Sequence, residues 1–202
     1  MRVGILAYQG GVYEHKHMVE RAMKSLGIGG EVVLVKKVEH LERLDAVILP
    51  GGESTTIGRL AARFGVLDRL KELIASGLPT LGTCAGAVML AKEVKDRVVG
   101  EVKQPTLAVM DVEVVRNYYG RQRESFEIDL KIPELGEKPF RGVFIRAPAI
   151  VRWWGSAEPV AKLDSVAVLA RQGSLIAATF HPELSGDVRL HKYFLELAAG
   201  TR

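Results

Sequence analysis

The chain has 202 residues, of which 48% are hydrophobic, enough to bury one sizeable core, and its length fits one domain spanning 1–202. Its net charge of +4 comes from 28 basic and 24 acidic residues interspersed along the chain, a solvated mixed surface rather than a basic nucleic-acid face. No stretch approaches the roughly 20 apolar residues of a membrane-spanning helix, and no signal-peptide core is present, so the chain reads as soluble and cytoplasmic, with no membrane partner.

Val3 to Tyr8 is a short apolar run that predicts a first strand, followed by a glycine-rich turn. Val12, Val19, Ala22, Met23 and Leu26 then recur at mostly helical spacing before Gly27. Val32 to Val35 and Ala46 to Leu49 read as the second and third strands, the third entering Pro50, Gly51 and Gly52. Thr55 to Ser76 carries two helical stripes, from Ile57 to Phe64 and from Val66 to Ile74, split near Gly65 and stopped by Gly77. Leu78 to Thr83 is a fourth strand and Ala85 to Val94 a helix. Strands that are continuous apolar runs, alternating with helices, imply a parallel sheet covered on both faces.

The second half is richer in strands. Thr106 to Val115, Ser125 to Ile132, Gly142 to Ile145, Val166 to Ala170 and Leu175 to Phe180 all read so. Ser125 to Ile132 alternates strictly through Phe126, Ile128, Leu130 and Ile132, so one of its faces should be solvated. Pro133 to Pro139 is a surface loop, and Asp187 caps a last helix with Leu190, Tyr193, Phe194 and Leu197 on its apolar face. The predicted fold class is α/β: a mostly parallel central sheet with helices on both faces and antiparallel additions in the second half.

Cys84 is the only cysteine, so it can make no internal disulfide and no zinc site by itself. It is either a buried small hydrophobe or a reactive group. Gly82, Cys84 and Gly86 form G-x-C-x-G at the predicted strand-to-helix junction, the thiol counterpart of the nucleophile elbow. A nucleophile on such a turn has a strained backbone, and side chains two residues to either side would collide, which favours glycine at both places. The amides of the helix beginning at Ala85 point at the sulfur, favour its thiolate and can receive an oxyanion.

A thiolate nucleophile needs a base. Of the five histidines, His15, His17 and His191 lie in helical stretches and His40 in a charged connector, all expected at the surface. His181 follows the apolar run Leu175 to Phe180 and should emerge at the carboxyl edge of the sheet, where the Cys84 elbow opens. Glu183 is two residues on, and Pro182 between them is expected to enforce extended geometry that puts both side chains on one side. Glu183 can thereby fix the imidazole tautomer. Gly51 and Gly52 should bring further backbone donors to the same edge, one of which could pair with the Ala85 amide as an oxyanion hole. Gln9 and Gly10, after the first strand, share that edge and form a candidate switch for the hole. Glu53 after the glycines, with no P-loop lysine, disfavours phosphate and suits a substrate amino group.

These motifs resemble a class I (triad) glutamine amidotransferase: GTCAG around Cys84, the PGGES turn and FHPE. QGGVYEH from Gln9, RNYYGRQRESFE from Arg116, GVFIRAP from Gly142 and TFHPELSGDVRLHKYF from Thr179 are similar more narrowly to the glutaminase subunits of pyridoxal 5'-phosphate synthase, the PdxT/SNO family, and they run from end to end. The resemblance implies a flavodoxin-like class I amidotransferase fold, Cys84 as nucleophile, His181 as base and Glu183 as its orienter. It also implies glutamine held by Gly51, Gly52, Glu53, Arg116, Ile145 and Arg146. The implied reaction hydrolyses L-glutamine to glutamate and ammonia with no metal or organic cofactor, and the implied partner is a synthase subunit that receives the ammonia. Tyr8 stands where the family often has leucine, and Val151 to Asp164, with Trp153 and Trp154, departs from its pattern.

Two other readings stand beside it. One is a cysteine-elbow hydrolase or stress protein of similar fold, of the PfpI-like kind, in which the His-Pro-Glu run would go unexplained. The other is a non-catalytic nucleic-acid module using Arg116, Tyr118, Tyr119, Arg121 and Arg123, a short cluster interrupted by Glu124 and Glu127.

Overall fold

The structure is a computed structural model that describes residues 1–120 and 125–200. The first half runs β1 (Arg2–Leu6), α1 (Val12–Leu26), β2 (Glu31–Val35), β3 (Ala46–Leu49), α2 (Ser54–Arg63), α3 (Val66–Ala75), β4 (Thr80–Thr83) and α4 (Ala85–Leu90). The second half adds β5 (Ala91–Asp96), β6 (Gly100–Glu101), β7 (Met110–Arg116), β8 (Ser125–Leu130), β9 (Phe140–Ile145), β10 (Ala149–Trp153), β11 (Glu158–Leu163), β12 (Val166–Gln172), β13 (Leu175–Ala178) and α5 (Arg189–Ala198).

The main sheet has the order β2-β1-β3-β4-β13-β12-β10-β7-β5-β6, with β11 on β12, while β8 and β9 form a separate antiparallel pair. From β2 to β13 the neighbours are parallel, and the antiparallel ladders gather beyond β13. The order 2-1-3-4 is flavodoxin-like, and it reverses between β1 and β3, so the loops leaving those two strands flank the crevice where such sheets take ligands.

The continuous apolar strands are explained by burial on both faces. Along β3, Val47 and Leu49 pack with Ile57, Leu70 and Val88 under α2, α3 and α4, whereas Ala46 and Ile48 pack with Val19, Met23 and Phe194 under α1 and α5. Phe140 and Phe144 of β9 extend this second core, and β8 presents Ser125, Glu127 and Asp129 to solvent as its alternation predicts.

Three expectations are corrected. The helix begun at Ala85 ends at Leu90, not Val94, and Ala91 to Asp96 is β5, hydrogen-bonded to β7. Thr106 to Val109 is not strand. The amides of Leu107 and Val109 donate instead to the carbonyls of Met89 and Leu90, which the short α4 leaves unpaired at its end. The departing segment Val151 to Asp164, where the sequence suggests no strand, forms the end of β10 and all of β11. There Lys162 lies 4.7 Å over the Trp153 ring and Arg152 lies 5.1 Å from the Trp154 ring. Tyr8, the other departure, stacks on Phe64 at 5.9 Å.

Candidate active site

Cys84 sits between β4 and α4 with φ 49 and ψ −103, a conformation that L residues rarely adopt. Two things hold it there: its amide donates to the Ala178 carbonyl of β13 at 2.8 Å, and the flanking glycines let the turn close. A Cβ on Gly82 would lie 2.6 Å from the Gly86 backbone, and one on Gly86 would overlap the Leu49 carbonyl oxygen. The glycine spacing of the elbow is therefore a steric requirement of the strand-to-helix turn. Cys84 is 8% exposed.

His181 leaves β13 one strand over, its amide donating to the Val143 carbonyl at 2.8 Å. Its Nδ1 lies 2.7 Å from Oε1 of Glu183, both side chains being buried. Pro182 does not extend the chain as expected. It opens a single 3-10 turn, Pro182–Leu184, which brings the two side chains together by curling. The Gly51 Cα lies against both side chains: a Cβ there would overlap the His181 ring and lie 3.4 Å from the Cys84 Cβ. Burial alone would lower the His181 pKa, but hydrogen bonds with Cys84 and Glu183 and the charges of both outweigh it and push the value up to about 10. The raised value favours the protonated imidazole beside Cys84 at neutral pH.

A cavity of about 420 Å³ opens over His181 and Ala85, the residue after Cys84, lined from the β1 side by Gln9 and Gly10 and from the β3 side by Gly51, Gly52 and Glu53. Arg116, Ile145 and Arg146 close its far side. Gly52 has φ +138, open to glycine alone among ordinary residues, and the Gln9 side-chain carbonyl accepts from the Glu53 amide at 3.0 Å, tying the two loops across the switch point. Asn117 and Arg146, also at the cavity wall, have positive φ of 54 and 42. Strained backbone thus clusters around one space.

Two of the gathered residues are differently engaged from the expectation. Glu53 does not offer a free carboxylate: Oε1 accepts from the Thr55 amide at 3.1 Å and Oε2 from the amide and hydroxyl of Thr56, each at 2.7 Å, so it caps α2. Those hydrogen bonds hold its pKa below the usual range although burial opposes them. Arg116 donates from one terminal nitrogen to Gln104 at 2.8 Å and Thr55 at 3.1 Å, while the other meets Glu53 at 3.4 Å. It faces the cavity already anchored. Tyr119 turns inward, edge-on to Phe126 at 5.1 Å and Phe144 at 6.0 Å, which removes it from an open stacking surface. Arg121 and Arg123 lie outside the described residues.

The largest correction concerns His15 and His191. Expected at the surface, they are both 0% exposed. His15 Nε2 lies 3.3 Å from Oε2 of Glu183, and His15 Nδ1 lies 3.0 Å from Nε2 of His191. A sequence signal existed: His15 falls three residues after Val12 and four before Val19, and His191 three before Phe194, so each occupies the apolar stripe of its helix.

The SNO glutamine amidotransferase family matches residues 5–199. Curated relatives include a pyridoxal 5'-phosphate synthase subunit PdxT from Staphylothermus marinus, 56% identical over 200 residues covering 97% of this chain and 98% of the relative. Another, of the same name, from Aeropyrum pernix is 58% identical over 201 residues, 98% of each chain. A solved structure described as a glutamine amidotransferase superposes with a TM-score of 0.85 at 50% identity over 98% of both chains. A Thermotoga maritima glutamine amidotransferase, at 17% identity and a TM-score of 0.60, shares the fold. With the match running almost end to end and through every element of the site, the chain belongs to the SNO glutamine amidotransferase family.

Proposed function

We propose that the whole chain, 1–202, is one glutaminase domain, the nitrogen-supplying subunit of a pyridoxal 5'-phosphate synthase, working in the cytoplasm. The observation that carries this reading is the strained Cys84 elbow facing a His181 that is hydrogen-bonded to Glu183, in a chain more than half identical to subunits named for that synthase. Among the described residues no helix is long and apolar enough to cross a membrane.

L-Glutamine lies in the cavity with its α-carboxylate read by Arg116 and Arg146 and its backbone-like groups by Gly51, Gly52 and the Ile145–Arg146 peptide. Glu53 contributes by fixing the loop, because its carboxylate is already engaged with α2. The Cys84 sulfur attacks the side-chain amide carbon, and the oxyanion is received by the Ala85 amide and an amide of the Gly51–Gly52 turn. His181 gives its proton to the departing nitrogen, which leaves as ammonia, and a thioester remains. Water, losing a proton to His181, then attacks the thioester, releasing glutamate and regenerating the thiolate. The ammonia passes to the synthase subunit.

An idle glutaminase wastes glutamine, so docking is expected to complete the oxyanion hole through the Gln9–Gly10 and Gly51–Gly52 loops, which the Gln9 to Glu53 hydrogen bond already couples. The deciding measurement is glutamate release from glutamine by the isolated chain and by the chain saturated with synthase. A rate about a hundredfold or more higher in the complex is expected, the worth of one oxyanion donor. No glutamate from the complex overturns the glutaminase reading; equal rates overturn the switch.

A further inference from the structure

Behind the triad lies a polar chain that the chemistry above does not use. Glu183 is buried, and its Oε1 is taken by His181, while a Cβ on Gly11 at the start of α1 would lie 2.8 Å from that same oxygen. Its Oε2 is also sealed from solvent and, among the described residues, has no hydrogen-bond partner, while His15 Nε2 lies 3.3 Å from it. That nitrogen is 3.0 Å from the Thr83 hydroxyl as well, and His15 Nδ1 meets His191 Nε2 at 3.0 Å. His191 Nδ1 is buried and, among the described residues, has no hydrogen-bond partner.

Those contacts admit two proton orders. In one, His191 Nε2–H donates to His15 Nδ1, and His15 Nε2–H is shared between Thr83 Oγ1 and Glu183 Oε2. The group left bare is the His191 Nδ1 lone pair. In the other, the Thr83 hydroxyl donates to His15 Nε2 and His15 Nδ1–H donates to His191. That order points a lone pair at the Glu183 carboxylate and strands an N–H on His191 in the core. An unpaired buried N–H is the rarer defect, and a buried carboxylate facing a lone pair loses a donor it needs. Burial also pushes the pKa of His15 well below the ordinary value, with His191 and His181 adding to it, so His15 meets the carboxylate as a neutral donor.

We propose that His15 and His191 are positioning residues: a buried imidazole pair held in a single tautomeric order that donates a hydrogen bond to Oε2 of Glu183 and so reserves Oε1 for His181. The pair links α1 and α5 to the 3-10 turn bearing the triad carboxylate. It acts through Glu183 on the orientation of the His181 ring, and it touches neither substrate nor sulfur. This inference rests on the triad reading.

The test uses the chain saturated with its synthase. His15→Leu fills the volume without the donor and should lower kcat for glutamine hydrolysis about 10- to 100-fold with KM unchanged, since it removes one hydrogen bond to a charged group. His15→Gln, whose amide nitrogen can stand near the Nε2 position, should recover kcat to within about threefold of the parent, a rescue that volume filling alone does not predict. In the unaltered protein, nitrogen-15 NMR of labelled histidine should show His15 and His191 both as Nε2–H tautomers that do not titrate between about pH 6 and 8. This reading does not depend on any variant folding. A His15→Leu kcat within about twofold of the parent, or an Nδ1–H tautomer at either residue, overturns the inference. If Cys84→Ala is inactive when that happens, the triad reading survives it; glutaminase activity persisting in Cys84→Ala overturns both.

Discussion

Nδ1 of His181 and Oε1 of Glu183 lie 2.7 Å apart across one proline, in a 3-10 turn. The carboxylate therefore dictates which imidazole nitrogen faces Cys84. Glu183→Gln keeps the shape but lets the amide present either face to Nδ1. It should leave the circular dichroism unchanged and lower kcat of the synthase-bound chain by about a thousandfold or more. Turnover within about twofold of the parent would reduce the pair to a turn.

The strained, 8% exposed Cys84 should be the covalent centre. An electrophile shaped like glutamine is expected to add one label per chain, located by peptide mass spectrometry at Cys84 and absent from Cys84→Ala. Label found elsewhere at equal occupancy contradicts the assignment.

Arg116 and Arg146 line the cavity, whereas Arg69 pairs with Glu72 on the exposed surface of α3. Replacing either cavity arginine with alanine should raise the Michaelis constant for glutamine about 10- to 100-fold, and Arg69→Ala should leave it unchanged. Three identical constants would remove both arginines from substrate binding.

The buried histidines shape stability in opposite pH ranges. Burial pushes the His191 pKa down to about 3, so it is neutral in the fold but protonated in the unfolded chain below about 6.5. Its contribution is whole above about 6.5 and is lost as pH falls toward about 3. His181 runs the other way: raised to about 10 against the effect of burial by Cys84 and Glu183, it contributes fully below about 6.5, and that contribution is lost as pH climbs through about 10. Urea unfolding between about pH 4 and 6 should show a slope shallower by about 1.4 kcal/mol per pH unit in His191→Gln than in the parent. Parallel slopes would mean that His191 is protonated in the fold.

Gly86→Ala drives a Cβ into the Leu49 carbonyl, whereas Gly29 has open space around it. Gly86→Ala should destabilise by about 1 to 3 kcal/mol or more and Gly29→Ala by much less, read from denaturant midpoints. Equal midpoints would show that the elbow has room for a methyl group.

The amino-acid sequence by itself determined the parallel half of the sheet, because β1, β3 and β4 are buried on both faces and so are written as unbroken apolar runs. It also determined the elbow, since its two glycines answer a local steric demand, and it set Glu183 two residues from His181, although a 3-10 turn and not extended chain brings the two side chains together. What the tertiary structure decided are matters of partner. Ala91 to Val94 reads as the continuation of the helix begun at Ala85, yet Ala91 to Asp96 becomes strand because β7 lies beside it. The Glu53 carboxylate was open to a substrate amine until the start of α2 took both its oxygens. His15 and His191 stand 176 residues apart on two helices. Histidine is at home on a surface or in a core, so only the packing of α1 and α5 on one face of the sheet could seal the two rings together behind Glu183.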